Sequence, residues 1–479
     1  MSTSAKTWLL LSVSMVFVAL FFTTPLAVSS APPPTAYVVD FVSTAASGFA
    51  MNDAGDVIGT SYIDTGCGPW CLPPQDTVVW RGGQRIVLPS IPGLTGIYVV
   101  DINNQGWIAG FAGFPGTTTH AVVWKPVADT YQAIDLGTLP GTTISEAIGI
   151  DNLGRVIGWS TTATFPPNGS PFMWTEAGGM VDLSAQGYPD EKPIAMSPGG
   201  TVATPGYWYR LGDPGSVAAM PTVPAGFYPP GTESTAINDA GDQARFLVST
   251  SAQNLRYLFR FHHSGTWQQI SSTGNGNLSS YGVGSINQAK DVTATVLSAA
   301  TIAFGPDGLT QPLTPFLSSA YPGSTITTGG PMNSTGQILA RVMIGQSSRL
   351  VRLTPATACV TNCIQVKSLQ LTAKFIQDPQ DPGHCTPGGN AYNQARAKLT
   401  LTNESGAVLR NVQVSGRFLD DYWTNAVVSG KTNSRGIISF TYQGPCGVGA
   451  IAFLVDNAVR SGLVFDRTTG VVSGWAIPQ

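Results

Sequence analysis

The sequence is poor in charge and in the side chains that most enzymes use for acid–base chemistry. Only 11% of its 479 residues are charged and only four are histidines, whereas roughly 25% of residues are charged in an ordinary globular protein. It contains no run of lysine and arginine and its net charge is −3, which argues against a nucleic-acid partner. Neither G-x-S-x-G nor H-E-x-x-H occurs, so two common hydrolase motifs are missing. The glutamates are scarce, and none recurs with a partner: Glu146, Glu176, Glu191, Glu233 and Glu404.

The N-terminus has the pattern of a secretory signal. Lys6 is its lone charge, residues 8–22 are mostly apolar, and residues 27–29 form a small-residue cleavage site. The apolar run is short and interrupted by Ser and Thr, which disfavours a retained membrane helix. No cysteine lies near the cleavage site and the C-terminal residues show no anchor. We therefore expect residues 1–30 to be removed, and a secreted protein without membrane insertion.

Six cysteines in a secreted chain suggest three disulfides. Cys67 and Cys71 are close enough to pair across one loop, and Cys359 and Cys363 share that spacing. This leaves Cys385 and Cys446 to pair with each other. The sequence alone leaves the other pairings open.

One short phrase, typified by Ile-Asn-Asp-Ala-Gly, occurs seven times. We mark each copy by its Asn or the equivalent residue, and the steps between markers are 51, 48, 46, 41, 49 and 46 residues. The markers are Asn52, Asn103, Asp151, Ser197, Asn238, Asn287 and Asn333. A period in this range indicates a repeat architecture.

Each repeat reads as four short strands, a to d, with a tight turn between a and b. In the third copy, residues 147–150 and 156–159 are apolar and flank the turn residues 151–154. Four antiparallel strands repeated about one centre predict a β-propeller of seven blades over residues 36–353. Six or eight blades, or a linear solenoid, are the alternatives.

The ends of the repeat region favour a closed ring. The last repeat stops after its c strand at residues 349–353, whereas residues 36–41 match the pattern of a d strand. We expect residues 36–41 to complete the last blade, because this pairing covers the edges that an open array would leave.

A second domain follows the repeats. Residues 354–363 read as a linker, and residues 364–479 have the size of one immunoglobulin-like β-sandwich. Alternating strand patterns occur at residues 368–373, 397–402 and 412–418. The complete fold prediction is all-β, a seven-bladed β-propeller closed by its N-terminal strand and followed by an Ig-like β-sandwich.

Two resemblances fit this division. The repeats resemble the extracellular HAF-repeat family, through residues 120–122 (His-Ala-Val) and the segment 135–141. That resemblance implies secretion and a propeller, with no reaction attached. The second domain resembles bacterial Ig-like domains of the invasin type, through residues 431–436 leading into Phe440 and through residues 453–457. Its Cys446 departs from the cysteine-free invasin pattern.

Most chemically interesting side chains have a structural interpretation. The Asn/Asp turns lack the ligand spacing of a calcium loop, so we interpret them as turn formers. Tryptophans at the end of strand c are expected to pack between blades. His120 has no hydrolase motif beside it, and His262 with His263 would point to opposite faces of a strand, which makes a poor metal clamp. We predict no cofactor and no metal site.

The loops after strand b are long and varied, whereas the a–b turns are uniformly tight. Diversity on one face of a rigid scaffold is typical of a binding surface. Its aromatic residues are the candidate ligand-binding set: Trp70, Phe114, Phe165 and Tyr228. We expect a secreted, monomeric, non-enzymatic protein that uses this face to bind or adhere to an extracellular glycan or protein. The alternative is a carbohydrate-active lyase or hydrolase with its site in the propeller mouth, which would need paired carboxylates there.

Overall fold

The described part of the chain folds almost entirely into β-strands, which confirms the all-β prediction. The structure is a computed structural model that describes residue 34 and residues 36–43, 46–62, 75–114, 118–163, 169–228, 235–251, 255–271, 282–296, 299–344, 347–380, 390–420, 425–446 and 450–479. Within these ranges the helical segments are two 3₁₀ turns, Ser184–Gln186 and Thr314–Phe316. No helix in these ranges is long and apolar enough to cross a membrane.

Seven four-stranded sheets occur among the described residues up to 356. The first strand, β1 (Ala36–Ser43), belongs to the last of them. Sheet 1 contains β2 (Ala46–Met51), β3 (Val57–Tyr62), β4 (Gln75–Arg81) and β5 (Gln84–Val87). Sheet 2 contains β6 (Ile97–Ile102), β7 (Ile108–Gly113), β8 (Thr119–Val127) and β9 (Thr130–Asp135). Sheet 3 contains β10 (Ile144–Ile150), β11 (Val156–Thr161), β12 (Gly169–Thr175) and β13 (Gly179–Asp182). One bridge between Ile144 and Thr119 joins it to sheet 2.

The remaining sheets follow the same order. Sheet 4 contains β14 (Ala195–Met196), β15 (Thr201–Ala203), β16 (Tyr207–Arg210) and β17 (Asp213–Ala219). Sheet 5 contains β18 (Thr235–Ile237), β19 (Gln243–Val248), β20 (Arg256–His262) and β21 (Thr266–Gln269). Sheet 6 contains β22 (Gly282–Ile286), β23 (Val292–Val296), β24 (Ala299–Ala303) and β25 (Gln311–Pro312). Sheet 7 contains β26 (Thr325–Met332), β27 (Ile338–Ile344), β28 (Ser347–Ala356) and β1.

The sheets are arranged in a ring. The first strand of each sheet contacts the first strand of the next, and β26 of sheet 7 contacts β2 of sheet 1. Apolar side chains fill the spaces between neighbouring sheets, as Ile58 and Val79 of sheet 1 do with Ile108 and Val122 of sheet 2. A cycle of four-stranded antiparallel sheets is the arrangement of a β-propeller.

Strand β1 lies beside the last c strand, as the sequence predicts. It pairs antiparallel with β28, from Ala36 opposite Ala356 to Phe41 opposite Val351. Strand β28 continues to Ala356, so the first three residues of the predicted linker belong to this strand instead. The extension has a physical cause, because β1 provides hydrogen-bonding partners for those residues.

Four marker residues, Asn52, Asn103, Asn238 and Asn333, each donate a hydrogen bond to the marker carbonyl of the next turn. Asn52 Oδ1 accepts the Asp56 N–H at 2.9 Å, and Asn52 Nδ2 donates to the Asn103 carbonyl at 3.1 Å. Asn103 repeats the link to the Asp151 carbonyl at 3.0 Å. Asn333 of sheet 7 donates to the Asn52 carbonyl at 3.1 Å. The turn interpretation is therefore confirmed, and the last turn is tied directly to the first.

Six of the seven a–b turns have glycine three residues after the marker, and the sixth turn has Lys290 with a φ of +67° there. Gly106 shows two reasons for this preference. Gly106 has a φ of +79°, and a Cβ there would lie 2.0 Å from Arg81 Nη2. Arg81 is held by Asp56, with 2.8 Å between Nε and Oδ2. A side chain at Gly106 would thus adopt a strained backbone conformation and displace this ion pair.

Comparing two glycines separates these effects. Gly137 also has a positive φ, +68°, but a Cβ there would meet nothing within 4 Å. We expect Gly137→Ala to destabilise by about 1 kcal/mol through backbone strain alone. Gly106→Ala should cost roughly 1–2 kcal/mol more, through the displaced Arg81. Urea unfolding measures both, and equal losses would contradict the steric role of Gly106.

Asp101 hydrogen-bonds sheet 2 to sheet 3, and its titration is expected to make the free energy of unfolding depend on pH. Its carboxylate accepts the Ile102 N–H at 2.8 Å and the Ile150 N–H at 3.0 Å. Burial raises the pKa of Asp101 to about 7 against these two donors, and the negative charge of Asp151 adds to the increase. Because an unfolded Asp titrates near 3.9, the folded chain holds an extra proton between the two values.

We therefore expect the free energy of unfolding to fall as pH rises from about 4 to 7. Asp101→Asn removes this titration and should flatten the pH dependence. Urea unfolding at about pH 5 and pH 8 on both proteins measures the difference. A variant with the same slope as the wild type would show that Asp101 is not the group responsible.

The C-terminal region forms two four-stranded sheets. One contains β29 (Cys363–Ile376), β30 (Tyr392–Thr402), β33 (Ile437–Pro445) and β35 (Val464–Gly470). The other contains β31 (Gln413–Asp420), β32 (Asn425–Lys431), β34 (Ile451–Val459) and β36 (Ser473–Ala476). Leu399 of the first sheet and Phe418 and Phe453 of the second are fully buried and belong to one hydrophobic cluster.

The predicted disulfide between Cys359 and Cys363 is present, immediately before and at the start of β29. Cys446 is also disulfide-bonded. Cys67, Cys71 and Cys385 lie outside the described residues, as does the predicted signal, so the other two pairings stay predictions.

The C-terminal region packs directly on sheet 7 and on β1. Arg467 of this region pairs with Asp40 of β1, with 2.6 Å between Nη1 and Oδ1, and its other terminal nitrogen donates to the Val39 carbonyl. Ser318 Oγ donates to the Thr468 carbonyl at 2.8 Å, and the Val472 N–H donates to the Ala320 carbonyl at 2.9 Å. One hydrophobic cluster runs through both regions. The C-terminal region is thus held firmly to the closing sheet.

Candidate ligand-binding face

The ring has two different faces. The turn face carries the a–b turns, which begin at the seven markers. The loop face, at the other end of the strands, carries the connections that follow strands b and d of each sheet. On the turn face the backbone groups largely bond to neighbouring turns, as when Asn104 Oδ1 accepts the Asp53 N–H at 3.0 Å.

The structure places two of the four predicted binding residues. Phe114 directly follows β7 on the loop face, and 62% of its side chain is exposed. Tyr228 precedes sheet 5 on the same face and is 42% exposed. Its neighbour Phe227 is anchored, with its ring 4.9 Å from that of Phe259 in an edge-on contact. Trp70 and Phe165 lie outside the described residues.

A second aromatic group on the loop face was missed by the sequence reasoning. Tyr98 of β6 stacks on Phe111 of β7, with ring centroids 4.9 Å apart and planes 17° apart. Tyr98 is 42% exposed, and Phe111 beneath it is half-buried. Because the two residues are direct cross-strand partners, the sheet itself holds the rings together.

The equivalent position in sheet 3 is polar. Glu146 lies opposite Trp159 in the ladder, and its Oε2 is 3.6 Å from Lys192 Nζ at the start of sheet 4. Both charged side chains are partly exposed. The loop-face ends of these sheets therefore carry a stacked aromatic pair on sheet 2, and one acidic and one basic group between sheets 3 and 4.

A within-chain comparison could have found this group. Tyr98, Glu146 and Lys192 each lie five residues before their marker, and so do Ser47, Glu233, Gly282 and Thr328. This position changes its chemical type from repeat to repeat, whereas the marker and the turn glycine recur. The variation shows that the packing shared by the repeats does not fix the residue type at this position.

His120 is not isolated, contrary to its appearance in the sequence. Its Nδ1 lies 2.9 Å from Asp135 Oδ2, and Asp135 Oδ1 also accepts the Gly137 N–H at 2.8 Å. In the described part of the chain, no hydroxyl or thiol side chain hydrogen-bonds to His120. The pair therefore orients the start of the sheet 2 to sheet 3 connection.

His262 and His263 approach the same carboxylate, because only His262 lies on a strand and the condition for opposite faces is not met. His263 Nδ1 lies 2.9 Å and His262 Nδ1 3.9 Å from the same Asp242 Oδ1, because β20 ends at His262 and strand alternation stops there. Burial alone would raise the pKa of Asp242, but hydrogen bonds from His263 and Asn238 and the charge of Lys290 hold it below its usual value. Within the described ranges, no group of three or more His, Cys, Asp or Glu side chains could hold a metal.

The strand-c tryptophans are packing residues. Trp80, Trp124 and Trp174 are all buried, and Trp124 Nε1 donates to the Pro89 carbonyl at 2.9 Å. Trp208 is half-buried beside Gly241 of the next sheet. Their position between sheets agrees with the structural interpretation made from the sequence.

Comparisons with known proteins give distant likenesses only. No family model matches the chain, and no curated protein matches it. A solved structure of puromycin hydrolase has 9% identity over 77% of this chain and 62% of its own, with a TM-score of 0.42. A prolyl endopeptidase structure has 10% identity and a TM-score of 0.39, over 76% of this chain and 54% of its own. The β-propeller domain of the Trilobed protease from Pyrococcus furiosus has 10% identity and a TM-score of 0.32, over 66% and 94% of the two chains. This chain thus spans about half the length of the prolyl endopeptidase, and at these values none of the three indicates its function.

Proposed function

We propose that this chain is a secreted, non-enzymatic binding protein, built from a seven-bladed β-propeller and an Ig-like β-sandwich. The seven sheets and their cyclic contacts support the blade number. The two facing sheets around a shared core support the sandwich. Relationship to the extracellular HAF-repeat family, and of the C-terminal region to invasin-type domains, is part of the proposal and rests on the sequence motifs.

The loop face is the proposed binding surface. The observation that carries this is the exposure of large aromatic side chains there, at Tyr98, Phe114 and Tyr228. Aromatic rings supply much contact area with little rotamer entropy to lose, so they are common in binding surfaces. On the turn face, by contrast, the backbone donors and acceptors are largely used between neighbouring turns.

Catalysis is less well supported than binding. A glycosidase or lyase needs acid and base groups facing each other, but four glutamates each bond to a different partner. Glu146 pairs with Lys192, Glu176 with Lys125, Glu191 with the Gly206 N–H and Glu404 with the Cys363 N–H. Glu233 lies outside the described residues.

Binding can be tested by screening residues 31–479 on a glycan array and on an array of extracellular proteins. We expect specific binding to at least one ligand. Combined Phe114→Ala and Tyr228→Ala substitution should weaken it by about tenfold or more, as for exposed aromatic contacts in other interfaces. Leu153→Ala, which removes a 78% exposed side chain on the turn face, is the matched control. If the double variant kept its affinity and Leu153→Ala lost it, the turn face would be the binding surface and the proposal would be wrong.

A further inference from the structure

The outer face of one sheet in the C-terminal region is polar and exposed. On β30 the alternate residues Ala395, Ala397 and Leu399 are buried in the core, so the residues between them point outward. Their ladder partners on β29 and β33 point to the same side. We call the resulting set of nine side chains the cationic grid, and its three rows are Ser439, Lys398 and Gln370, then Thr441, Arg396 and Thr372, then Gln443, Gln394 and Lys374. Gln394 is half-buried and the other eight are exposed.

Three side chains of the cationic grid are positively charged and none is acidic. Arg396 and Lys398 are two residues apart on β30, and Lys374 lies opposite Gln394 on β29. Strands lie about 4.8 Å apart and rise about 3.4 Å per residue, so the Cα atoms of the three cations lie within roughly 14 Å of one another. Like charges this close repel one another. The repulsion works against folding unless an opposite charge offsets it.

No carboxylate in the described part of the chain offsets this charge. The described carboxylates of the C-terminal region bond to other groups: Asp378 to the Gln380 N–H, Glu404 to the Cys363 N–H, Asp420 to the Tyr442 hydroxyl, Asp456 to Arg417, and Asp466 to Thr468 and Thr469. Residues 357–479 carry ten basic and seven acidic side chains, so this region is net positive whereas the whole chain is net negative. Charge complementarity therefore favours an anionic partner.

The six uncharged side chains of the cationic grid narrow the class of that partner. They are three glutamines, two threonines and one serine. Their amides and hydroxyls can donate and accept hydrogen bonds, and sugar hydroxyl groups do the same. A polymer that carries both negative charges and hydroxyl groups would therefore use all the chemistry of this surface.

Other anionic partners fit the cationic grid less well. An anionic membrane binds surfaces whose apolar side chains enter the lipid, and the core of a protein interface is rich in aromatic residues and poor in lysine. The grid has no apolar side chain and has two lysines. Single-stranded nucleic acid on a sheet stacks on several aromatic rings, whereas one ring borders the grid here. That ring belongs to Tyr392, which forms the next row with Ile376 and is half-buried.

We propose that the cationic grid binds an anionic polysaccharide. Lys374, Arg396 and Lys398 donate charge-assisted hydrogen bonds to its carboxylate or sulfate groups, and the amides and hydroxyls between them bind its hydroxyl groups. This second site lies on the C-terminal region. It goes beyond the proposed function of the loop face and does not depend on it.

The test measures binding of residues 31–479 to immobilised polysaccharides by biolayer interferometry. The probes are polygalacturonate, dextran sulfate and neutral dextran, which has the same sugar chain as dextran sulfate. We expect the protein to bind at least one of the two anionic polymers, and to bind dextran at least about tenfold more weakly. The affinity should fall as the salt concentration rises. The polymer that binds more tightly shows whether the grid recognises carboxylate or sulfate groups.

Two double variants test the two kinds of side chain. Arg396→Gln with Lys398→Gln removes two charges and keeps polar side chains, and should weaken binding by about tenfold or more. Gln370→Ala with Gln443→Ala removes two amides and should weaken polysaccharide binding about threefold or more. The amide variant should bind poly-glutamate, a polyanion without hydroxyl groups, within about twofold of the wild type.

The matched control is Arg435→Gln with Arg460→Gln. Both arginines are exposed at turns of the same region and lie outside the three strands of the grid. The control loses the same two charges, and it should bind the anionic polysaccharide within about twofold of the wild type. Circular dichroism and thermal unfolding check that each variant is folded.

Several outcomes would overturn the site. Equal losses in the Arg396/Lys398 variant and the control would show that binding follows net charge alone. Binding that survives the Arg396/Lys398 variant, or that is lost in Phe114→Ala with Tyr228→Ala instead, would place the polysaccharide elsewhere. Tighter binding of poly-glutamate or of phosphatidylglycerol vesicles than of either anionic polysaccharide would show that the partner class is wrong, and binding of neither polysaccharide would refute the proposal. The loop-face proposal would stand in each case, because its own ligand and variants test it.

Discussion

Deleting residues 36–43 is expected to open the ring and to destabilise the whole propeller. Strand β1 buries Tyr37, Val38 and Val39, which are exposed by 1%, 4% and 0%. Each buried side chain of this size contributes about 1.5–3 kcal/mol, and the β28 edge would lose its ladder partner. We expect a loss of roughly 5 kcal/mol or more and a thermal midpoint lower by roughly 10 °C.

Two measurements make this test specific. Calorimetry of the deletion variant gives the size of the effect. A second variant, Val39→Asp, keeps the chain length but places a charge where no water reaches, and should be destabilised to a similar degree. Phe49→Asp changes an exposed residue of the next strand, 45% accessible, and serves as the control with little effect. An unchanged midpoint for both β1 variants would contradict ring closure by this strand.

Arg467→Ala is expected to produce the second-largest loss. The guanidinium pairs with Asp40 at 2.6 Å and also donates to the Val39 carbonyl, so the sandwich holds the closing strand directly. Both side chains are largely buried, at 19% and 25% exposure. Removing one partner of such a pair leaves a desolvated charge and costs about 3 kcal/mol or more.

The pH dependence provides an independent check. Burial would raise the pKa of Asp40, but Arg467, Thr354 and Arg352 outweigh it and hold the pKa below its usual value. A lowered pKa stabilises the fold above the unfolded value of about 4, and this contribution is lost as pH falls through the folded value. The difference in free energy of unfolding between the wild type and Arg467→Ala should therefore become smaller as the pH falls. A gap that widens below about pH 4 would contradict the ion-pair explanation. Arg435→Ala on the sandwich surface is the control, since Arg435 is exposed.

The repeat pattern allowed much of the ring to be predicted because its signals are local. An Asn marker and a glycine three residues later define a turn through their own backbone geometry. The sequence also predicted the closing strand β1, because Asp40 within its apolar run matches the pattern of the other d strands. Even the weak fourth and sixth copies form four-stranded sheets, because the neighbouring sheets supply the packing that their sequences encode poorly.

Other features depend on contacts between distant residues and could not be read in the same way. The Arg467–Asp40 pair joins residues 427 positions apart, so neither residue alone indicates the docking of the sandwich. Residues 354–356 belong to strand β28 because β1, far away in sequence, pairs with them. Tyr98 resembled an ordinary strand residue, and only its stack on Phe111 and its exposure distinguish it.

The most direct test of the central claim blocks each face of the ring in turn. A single cysteine is introduced by Phe114→Cys on the loop face or by Leu153→Cys on the turn face, at side chains 62% and 78% exposed. Each protein is then coupled to a maleimide polymer, and binding to the ligand found on the arrays is measured. We predict that the polymer at Phe114→Cys abolishes binding, whereas the polymer at Leu153→Cys leaves it intact. The opposite pattern would show that the turn face binds and would contradict the account.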